Sequence, residues 1–358
     1  MKEQEIISSN YEKELENILS KYSDKGIFIV HGKSYEGLTW NEWFETRYKV
    51  VHFTDFQVNP IYESTVLGRN RFIESGCEII VAVGGGSAID VAKCIKLFAG
   101  MNECDNYINA DIGDCSIPLV AIPTTAGTGS ESTRFAVIYY GGEKYSVMDD
   151  SIIPEVAVLD TRTIESLPLF QKKVTMCDAL AHAIEAYWSV NATEKSREYS
   201  QKAIGEIVNN YKAFMDEDEL SNESMLIASN MAGKAINIAF TTAGHAMSYK
   251  ITSMFSLPHG QAVIICLPAI WRHMLKRENE KLNKVFCEIA KCLGKDSIVE
   301  GIEFLENFIK ELDLVPKISL TKEQLVELAD SVNVGRLKNN PIIFEKEELY
   351  EIYSEVFS

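Results

Sequence analysis

The chain has 358 residues, which is long enough for two domains with full-sized hydrophobic cores. Hydrophobic residues make up 46% and charged residues 24%, the balance of an ordinary globular protein. The net charge of −17 argues against a nucleic-acid-binding surface, because contacts with phosphates need clustered lysine and arginine. No run of 18 apolar residues occurs, the first residues lack the apolar core of a signal peptide, and the cysteines form no C-x-x-C pair. We therefore expect a cytoplasmic protein that binds neither membrane nor nucleic acid.

The first half of the chain alternates short apolar runs with segments of helical length. Strands that are buried on both faces of a parallel sheet are nearly continuous in apolar residues. Runs of this kind span residues 27–31, 49–53, 78–83, 118–122 and 155–160. The alternation predicts βαβ units and an open, mostly parallel sheet. A hairpin is predicted as an addition to that sheet, where FAVIYY and YSVM flank the turn GGEK.

From Leu167 and Pro168 onward the sequence shows helical periodicity only. The predicted helices span 171–190, 195–215, 222–239, 243–255, 260–275, 278–293, 297–312, 321–332 and 346–356. The predicted fold is therefore an α/β domain of nucleotide-binding type over residues 1–167, followed by an all-helical domain over residues 168–358.

Two loops follow buried strands and carry residues that suit a phosphate. The first, VAVGGGSAIDVAK, is a strand, a glycine turn and a helix, with Ser87 and Asp90 spaced as a capping pair. Glycines let backbone N–H groups approach a ligand closely, and a helix N-terminus favours phosphate. The second, IPTTAGTGSEST, adds glycines and hydroxyl donors. Each could be a simple turn, but two such loops at strand carboxyl ends favour a cofactor that contains a diphosphate.

A candidate metal site lies in the helical half of the chain. Asp178 and His182 are four residues apart in the apolar run MCDALAHAIEAYWS, so they share one face of a helix. His245 and His259 follow in the segment GHAMSYKITSMFSLPHG. One carboxylate and three imidazoles suit Fe²⁺ or Zn²⁺ with a position open for water or substrate. The alternative is a hydrogen-bonded polar pair and a turn histidine, because spacing alone does not bring four side chains together.

Four motifs, taken together and in their order, resemble the iron-containing (group III) alcohol dehydrogenases, relatives of glycerol dehydrogenase and dehydroquinate synthase. They are GGGSAIDVAK, IPTTAGTGSE, DALAHAIEAY and HAMSYKITSMFSLPHG, and the resemblance covers nearly the whole chain. It implies a Rossmann-like dinucleotide-binding domain followed by a helical metal-binding domain. The metal ligands that it implies are Asp178, His182, His245 and His259. The cofactor contacts that it implies are Asn59, Pro60, Gly85, Gly86, Ser87, Thr124, Thr125, Thr128, Val137 and Lys144.

The activity implied by this resemblance is hydride transfer between a nicotinamide and a small aldehyde or alcohol, in a homodimer or larger homo-oligomer. Two positions depart from many family members. Tyr249 stands where those relatives have a second histidine near the substrate. The proton relay of those relatives is therefore either lost or passes to the phenol of Tyr249, and water or a ribose hydroxyl is the other source of the proton. Gly32, Lys33 and Ser34 stand where NAD-preferring relatives often carry an acid. An acid there would repel a 2′-phosphate, so the sequence favours NADP(H) over NAD(H), unless Lys33 is simply a solvated surface residue.

The sequence constrains the substrate less than the cofactor. Residues 132–160 and the tail NVGRLKNNP are similar to phosphonoacetaldehyde reductases, which form 2-hydroxyethylphosphonate. A phosphonate needs Arg or Lys partners, and the candidates are Arg134, Arg336 and Lys338, although each also suits an ion pair within the protein. The alternatives are a short-chain alcohol or diol dehydrogenase of the butanol or lactaldehyde type, a cyclising lyase that uses bound NAD without net redox, and a nucleotide-binding regulatory protein without turnover.

Overall fold

The computed structural model describes residues 4–113 and 115–358, and the chain divides into two compact units, Met1–Leu167 and Pro168–Ser358. The first unit holds the parallel sheet and the second is built from helices, so the predicted fold class is confirmed. Within the described residues, no helix combines the length and the apolar character that crossing a bilayer requires.

The first unit is built on a six-stranded sheet whose neighbouring strands are all parallel. The strands of this unit are β1 (Glu5–Ile7), β2 (Ile27–His31), β3 (Val50–Phe53), β4 (Ile79–Gly84), β5 (Leu119–Pro123), β6 (Phe135–Tyr140), β7 (Glu143–Met148) and β8 (Val156–Val158). The order across the sheet is β1-β8-β5-β4-β2-β3. Strands β2, β4 and β5 are buried along their whole length, which explains their continuous apolar runs. Strand β1 was not predicted, because its three residues lie within the polar stretch KEQEIISSN.

The helices of this unit cover both faces of the sheet. They are α1 (Tyr11–Leu19), α2 (Thr39–Glu45), α3 (Tyr62–Ser75), α4 (Gly86–Ala99) and α5 (Arg162–Glu165). Alternate residues of β2 enter different clusters: Ile27 and Ile29 pack with Trp40 of α2, whereas Phe28 packs with Ile95 of α4. The strands are thus fixed from both sides, and their carboxyl ends form a rigid edge.

The sheet reverses its direction of growth between β2 and β4. From β2 the chain continues to β3 at one edge, whereas β4, β5 and β8 extend towards the other edge. Connections diverge at such a switch point and leave room for a ligand beyond the strand carboxyl ends. Gly32 follows β2 and Gly85 follows β4, so both glycine-containing segments lie at this point.

The predicted hairpin exists, but its assignment to the main sheet is wrong. Strands β6 and β7 form a separate two-stranded antiparallel sheet. Ala136 and Ile138 of β6 are buried together with Phe98 of α4, so the hairpin uses its apolar face to cover a helix. A single bridge joins Tyr139 to Ile61, just before α3.

The second unit consists of the helices α6 (Leu169–Trp188), α7 (Glu194–Met215), α8 (Leu220–Ala239), α9 (Ala243–Phe255), α10 (His259–Ile264), α11 (Leu267–Leu275), α12 (Glu280–Cys292), α13 (Ile298–Glu311), α14 (Lys322–Ser331), α15 (Val334–Leu337) and α16 (Lys346–Val356). The prediction of one helix over 260–275 is wrong, because α10 and α11 are separate. Pro268, near the start of α11, has no N–H to continue the hydrogen-bond ladder of α10. Helix α15 is a single turn, too short for a periodicity to reveal.

Candidate metal centre and cofactor loops

One face of α6 supplies the base of the candidate metal centre. Asp178 and His182 are 5% and 6% exposed, and Glu185, fully buried, lies on the same face one turn further along. Burial of three polar side chains in an apolar helix raises the free energy of the folded state unless polar or charged groups bind them. The compensating groups come from α9 and α10.

Two imidazoles from α9 and α10 converge on Asp178. The Nε2 atom of His245 lies 3.6 Å from Asp178 Oδ1, and that of His259 lies 3.9 Å from it. On α6 itself, His182 Nε2 lies 4.0 Å from the same oxygen. The donor atoms of Asp178, His245 and His259 all lie within 4.8 Å of one another. The structure thus brings three of the predicted ligands, Asp178, His245 and His259, around one point. His182 is close to Asp178 but does not belong to this mutually close group.

The spacing of these atoms fits a divalent cation better than a hydrogen-bonded cluster. Separations of 3.6 to 4.0 Å exceed normal hydrogen-bond lengths. Ligand atoms placed tetrahedrally at about 2.1 Å from an ion stand about 3.4 Å apart, which is close to the observed values. Asp178 Oδ1 and His245 Nε2 are buried without a hydrogen-bond partner among the described residues, and a cation at this point would compensate both.

The electrostatics of the centre favour bound positive charge. Burial alone would raise the pKa of Asp178, but His182 and the other two imidazoles hold it below its ordinary value. Burial likewise opposes ionisation of Glu185, yet His245 lowers its pKa. Burial would lower the pKa of His245, whereas Glu185 and Asp178 raise it to about 9. Without an ion, protonated His245 supplies part of the positive charge that the two carboxylates need. If His245 binds an ion in its neutral form, the two carboxylates match the charge of one divalent ion.

Glu185, which was not among the predicted site residues, holds His245 in place. Its carboxylate accepts a short hydrogen bond from His245 Nδ1–H, and it also accepts from the N–H of Thr242 at 3.0 Å and the hydroxyl of Thr242 at 2.7 Å. With the proton on Nδ1, Nε2 of His245 presents its lone pair towards Asp178. The signal was present in the sequence, since Glu185 follows His182 by three positions on the same helical face.

Gly260 allows α10 to lie directly against α6 beside the candidate ligands. A Cβ atom at Gly260 would overlap the carbonyl oxygen of Val174 and would lie 3.0 Å from Asp178 Cβ. The overlap is with backbone, which cannot rotate away. The missing side chain therefore sets the distance between His259 and Asp178.

Gly260→Ala is expected to lower the free energy of unfolding by about 1–3 kcal/mol, because α10 must move away from α6. It should also lower the metal content, since His259 moves with α10. Thermal unfolding and metal analysis of the purified protein check both effects. The control is Gly205→Ala in α7, where no atom lies within 4 Å of the added Cβ and alanine should stabilise the helix. Equal stability and metal content in the two variants would contradict the packing argument.

Tyr249 and Arg336 extend the centre beyond His259. The ring of Tyr249 lies parallel to that of His259, with 5.7 Å between centroids and 7° between planes. Arg336, in α15, donates a hydrogen bond to the Tyr249 phenol oxygen, and its guanidinium carbon lies 4.6 Å from the Tyr249 ring centroid. A tyrosine therefore occupies the position beside the exposed ligand, with a cation against it.

The two predicted phosphate loops lie against each other in the first unit. A Cβ atom at Gly85 would lie 3.3 Å from the Thr125 side chain, and one at Gly86 would lie 2.9 Å from Thr128. The backbone N–H of Thr124 donates to the Gly84 carbonyl at 3.0 Å. The glycines are thus required for the close approach of the second loop to the start of α4.

The predicted capping pair of Ser87 and Asp90 is wrong. The residue that caps α4 is Gly85, and no side chain caps this helix. The Asp90 carboxylate instead accepts from the Ser130 hydroxyl at 2.6 Å and from the backbone N–H of Val137 at 3.0 Å. A local pattern that resembles a cap serves here to hold the second loop and the hairpin.

Lys93 completes this connection one turn further along α4. Its ammonium is fully buried and donates to the hydroxyls of Ser130 and Thr133, both at 3.0 Å, and to the Phe135 carbonyl at 2.8 Å. Burial lowers its pKa to about 8, although Asp90 acts in the opposite direction. Lys93 thus fixes two positions of the second loop and the first residue of β6.

The remaining predicted cofactor residues are found at the same edge of the sheet. Gly32, whose carbonyl accepts from the imidazole of His31 at 3.0 Å, begins the segment after β2, in which Lys33 and Ser34 are exposed. Asn59 adopts a left-handed conformation with φ of 60°, and the carbonyl of the next residue, Pro60, accepts from the β6 backbone.

Two basic residues of the first unit that the sequence predicted to bind ligands have acidic neighbours. Burial raises the pKa of Asp90, and half-buried Lys144 of β7 is among the groups that act in the opposite direction. Arg134 forms an ion pair with Asp150 at 2.9 Å, and its contact with substrate stays a prediction.

Comparison with known proteins covers both units. The model of the iron-containing alcohol dehydrogenase family matches residues 4–161, and that of the Fe-containing alcohol dehydrogenase family C-terminal domain matches residues 173–357. An alcohol dehydrogenase of Thermococcus barophilus is 31% identical over 96% of this chain and 94% of its own length. A 4-hydroxybutyrate dehydrogenase of Clostridium kluyveri is 30% identical over 88% of this chain and 86% of its own. The solved iron-containing alcohol dehydrogenase of Thermococcus thioreducens has a TM-score of 0.91 at 25% identity, covering 100% of this chain and 99% of that one.

Proposed function

Because the chain belongs to the iron-containing alcohol dehydrogenase family, we propose that it reduces a small aldehyde with the help of a divalent cation and a nicotinamide cofactor. Membership makes it an oxidoreductase of the alcohol dehydrogenase type. The observation that carries the proposal is the meeting of Asp178, His245 and His259 donor atoms within 4.8 Å in a buried, acidic centre. Fe²⁺ is the ion we favour, and Zn²⁺ suits the same donors.

The proposed ligands are Asp178, His182, His245 and His259. A cation held there would supply Lewis acidity for negative charge on the substrate oxygen, and the nicotinamide would supply the hydride. Asp178 and Glu185, which are both buried, balance the charge of such an ion. Glu185 also keeps the proton of His245 on Nδ1, so that Nε2 stays a lone-pair donor.

Tyr249 is the proposed source of the proton for the reduced oxygen. Its phenol oxygen accepts from Arg336, so its own hydroxyl proton is not needed for that contact and can be donated. The ring lies parallel to the exposed ligand His259, at the side from which a substrate can reach the centre. Donation in the transition state is the ordinary role of such a positioned acid.

NADP(H) is the cofactor that we favour. Lys33 is exposed, and the three residues that follow β2 before Tyr35 include no acid, so a 2′-phosphate meets a cation there instead of repulsion. The loops at Gly85 and Thr125 are the proposed contacts of the diphosphate. NAD(H) is the alternative.

Phosphonoacetaldehyde is the first candidate substrate, on the likeness of residues 132–160 and the tail to its reductases. The relative named 4-hydroxybutyrate dehydrogenase gives a second candidate, succinate semialdehyde, which is also anionic. Short neutral aldehydes, such as butyraldehyde and lactaldehyde, are the alternatives.

The test is a kinetic comparison on protein loaded with Fe²⁺ or Zn²⁺. We expect oxidation of NADPH with at least one of the four aldehydes, and a kcat/KM for NADPH above that for NADH by about tenfold. Loss of the nicotinamide absorbance measures the rate. Binding of NADPH without its oxidation by any of the four would contradict the proposal and favour the regulatory alternative. A higher kcat/KM with NADH would contradict only the cofactor preference.

A further inference from the structure

Arg336 carries a positive charge that no carboxylate of residues 4–113 or 115–358 neutralises. Two other arginines of the helical unit are ion-paired: Arg272 contacts Glu306, and Arg277 contacts Glu348. Arg197 has the ring of Tyr187 as its described contact, as Arg336 has that of Tyr249. Arg336 is half-buried, and its described contacts are the hydrogen bond and the ring contact with Tyr249. In a chain with a net charge of −17, a half-buried guanidinium without an acidic partner needs an explanation.

This guanidinium lies on the accessible side of the candidate metal centre. Asp178 and His245 have side chains that are 7% and 4% exposed, whereas that of His259 is 36% exposed. Tyr249 stacks on His259, and Arg336 contacts Tyr249. A small molecule that approaches the centre from solvent therefore meets His259, Tyr249 and Arg336 before the buried ligands.

The charge balance of the centre leaves an anionic substrate without attraction. Asp178 and Glu185 already match the two charges of a divalent ion, so a phosphonate or carboxylate close by needs a further cation. An arginine side chain suits this task, because its planar fork binds two oxygens of such a group at once. Tyr249 keeps that fork in one orientation through the hydrogen bond and the ring contact.

We propose that Arg336, positioned by Tyr249, selects aldehydes that carry an anionic group by pairing with that group. The chemistry recognised is a phosphonate, sulfonate or carboxylate on a short carbon chain. The inference rests on the proposed function, since it assigns a substrate class to the same centre. Arg336 touches the non-reacting end of the substrate, and therefore it governs preference among aldehydes without taking part in hydride transfer.

The test compares two aldehydes of the same shape and different charge. Phosphonoacetaldehyde has an anionic phosphonate where 3,3-dimethylbutanal has a neutral tert-butyl group. Arg336→Gln is expected to lower the ratio of their kcat/KM values, anionic over neutral, by tenfold or more, about the effect of one charge-assisted hydrogen bond. The value for the neutral aldehyde should fall by a smaller factor, because its reduction loses only the contact of Arg336 with the proposed acid Tyr249. Arg336→Lys keeps the charge, so its ratio of kcat/KM values should lie closer to that of the wild type.

Arg277→Gln is the matched control, because it removes the same charge from an exposed ion pair of the same unit. It should leave the ratio unchanged. A binding measurement without turnover supports the kinetics: calorimetric titration of Zn²⁺-loaded protein with 2-hydroxyethylphosphonate and with 3,3-dimethylbutan-1-ol. Arg336→Gln should weaken binding of the phosphonate alone.

Two results overturn the inference. One is an equal loss for both aldehydes in Arg336→Gln, which indicates a purely structural role. The other is an unchanged ratio in both Arg336 variants. If wild-type protein reduces neither aldehyde nor any other tested, the proposed function fails instead, and the titration then decides whether Arg336 binds the phosphonate group.

Discussion

Asp178→Asn is expected to remove the bound metal and to lower kcat/KM by at least about 10³-fold, while the protein stays folded. The asparagine side chain would keep the shape of the aspartate, but its neutral amide cannot offset the charge of a cation among three imidazoles. Asp178 Oδ1 is also the atom from which all three histidine Nε2 atoms lie between 3.6 and 4.0 Å. Metal analysis, aldehyde reduction and circular dichroism measure the three parts of this expectation.

Asp313→Asn is the control for this experiment. Asp313 is an exposed residue of the same unit with φ of 54°, a conformation that asparagine adopts readily. It should retain wild-type metal content and activity. If Asp178→Asn binds the wild-type amount of metal, or works at the wild-type rate after the metal is stripped, the centre is not where we place it.

Glu185→Gln is expected to weaken metal binding by about 100-fold and to lower the activity at limiting metal in proportion. The glutamine oxygen can still accept from His245 Nδ1–H, but the centre loses one of the two negative charges that balance the ion. A weaker acceptor also holds the tautomer of His245 less firmly. Competition with a chelator of known affinity measures the change.

Glu303→Gln on α13 is the matched control, because Glu303 is exposed. It should bind metal as tightly as wild type. A Glu185→Gln variant with that same affinity would show that Glu185 only fills space beside His245. A lower melting temperature would reveal loss of the folded state in Glu185→Gln. In that case metal affinity is measured in Glu185→Asp, which keeps the negative charge and should lose less metal affinity.

Local patterns in the sequence were sufficient to predict those features that depend on neighbouring residues along the chain. The continuous apolar runs predicted β2, β4 and β5, because burial on both faces leaves no polar position. The spacing of Asp178 and His182 predicted a shared helical face. The gathering of His245 and His259 around Asp178 depends on how α9 and α10 pack on α6, which no spacing along the chain encodes.

The predictions were wrong or incomplete where residues far along the chain determine what a local pattern does. Ser87 and Asp90 have the spacing of a helix cap, but the Ser130 hydroxyl and the Val137 N–H bind Asp90 from far along the chain. The role of Glu185 depends on its contact with His245, 60 residues further along the chain. The hairpin alternates like a sheet strand, and the apolar surface of α4 determines where it packs.

The buried ammonium of Lys93 has a consequence for the kinetics of nucleotide binding. Two of its hydrogen bonds fix the Ser/Thr-rich loop against α4 as part of folding, and a third holds the start of β6. The entropic cost of ordering that loop is therefore met during folding. It does not reduce the binding free energy of a ligand that arrives later. A diphosphate would meet a preorganised cradle, so association should be a single step at a rate set by encounter, without a slow phase of loop closure.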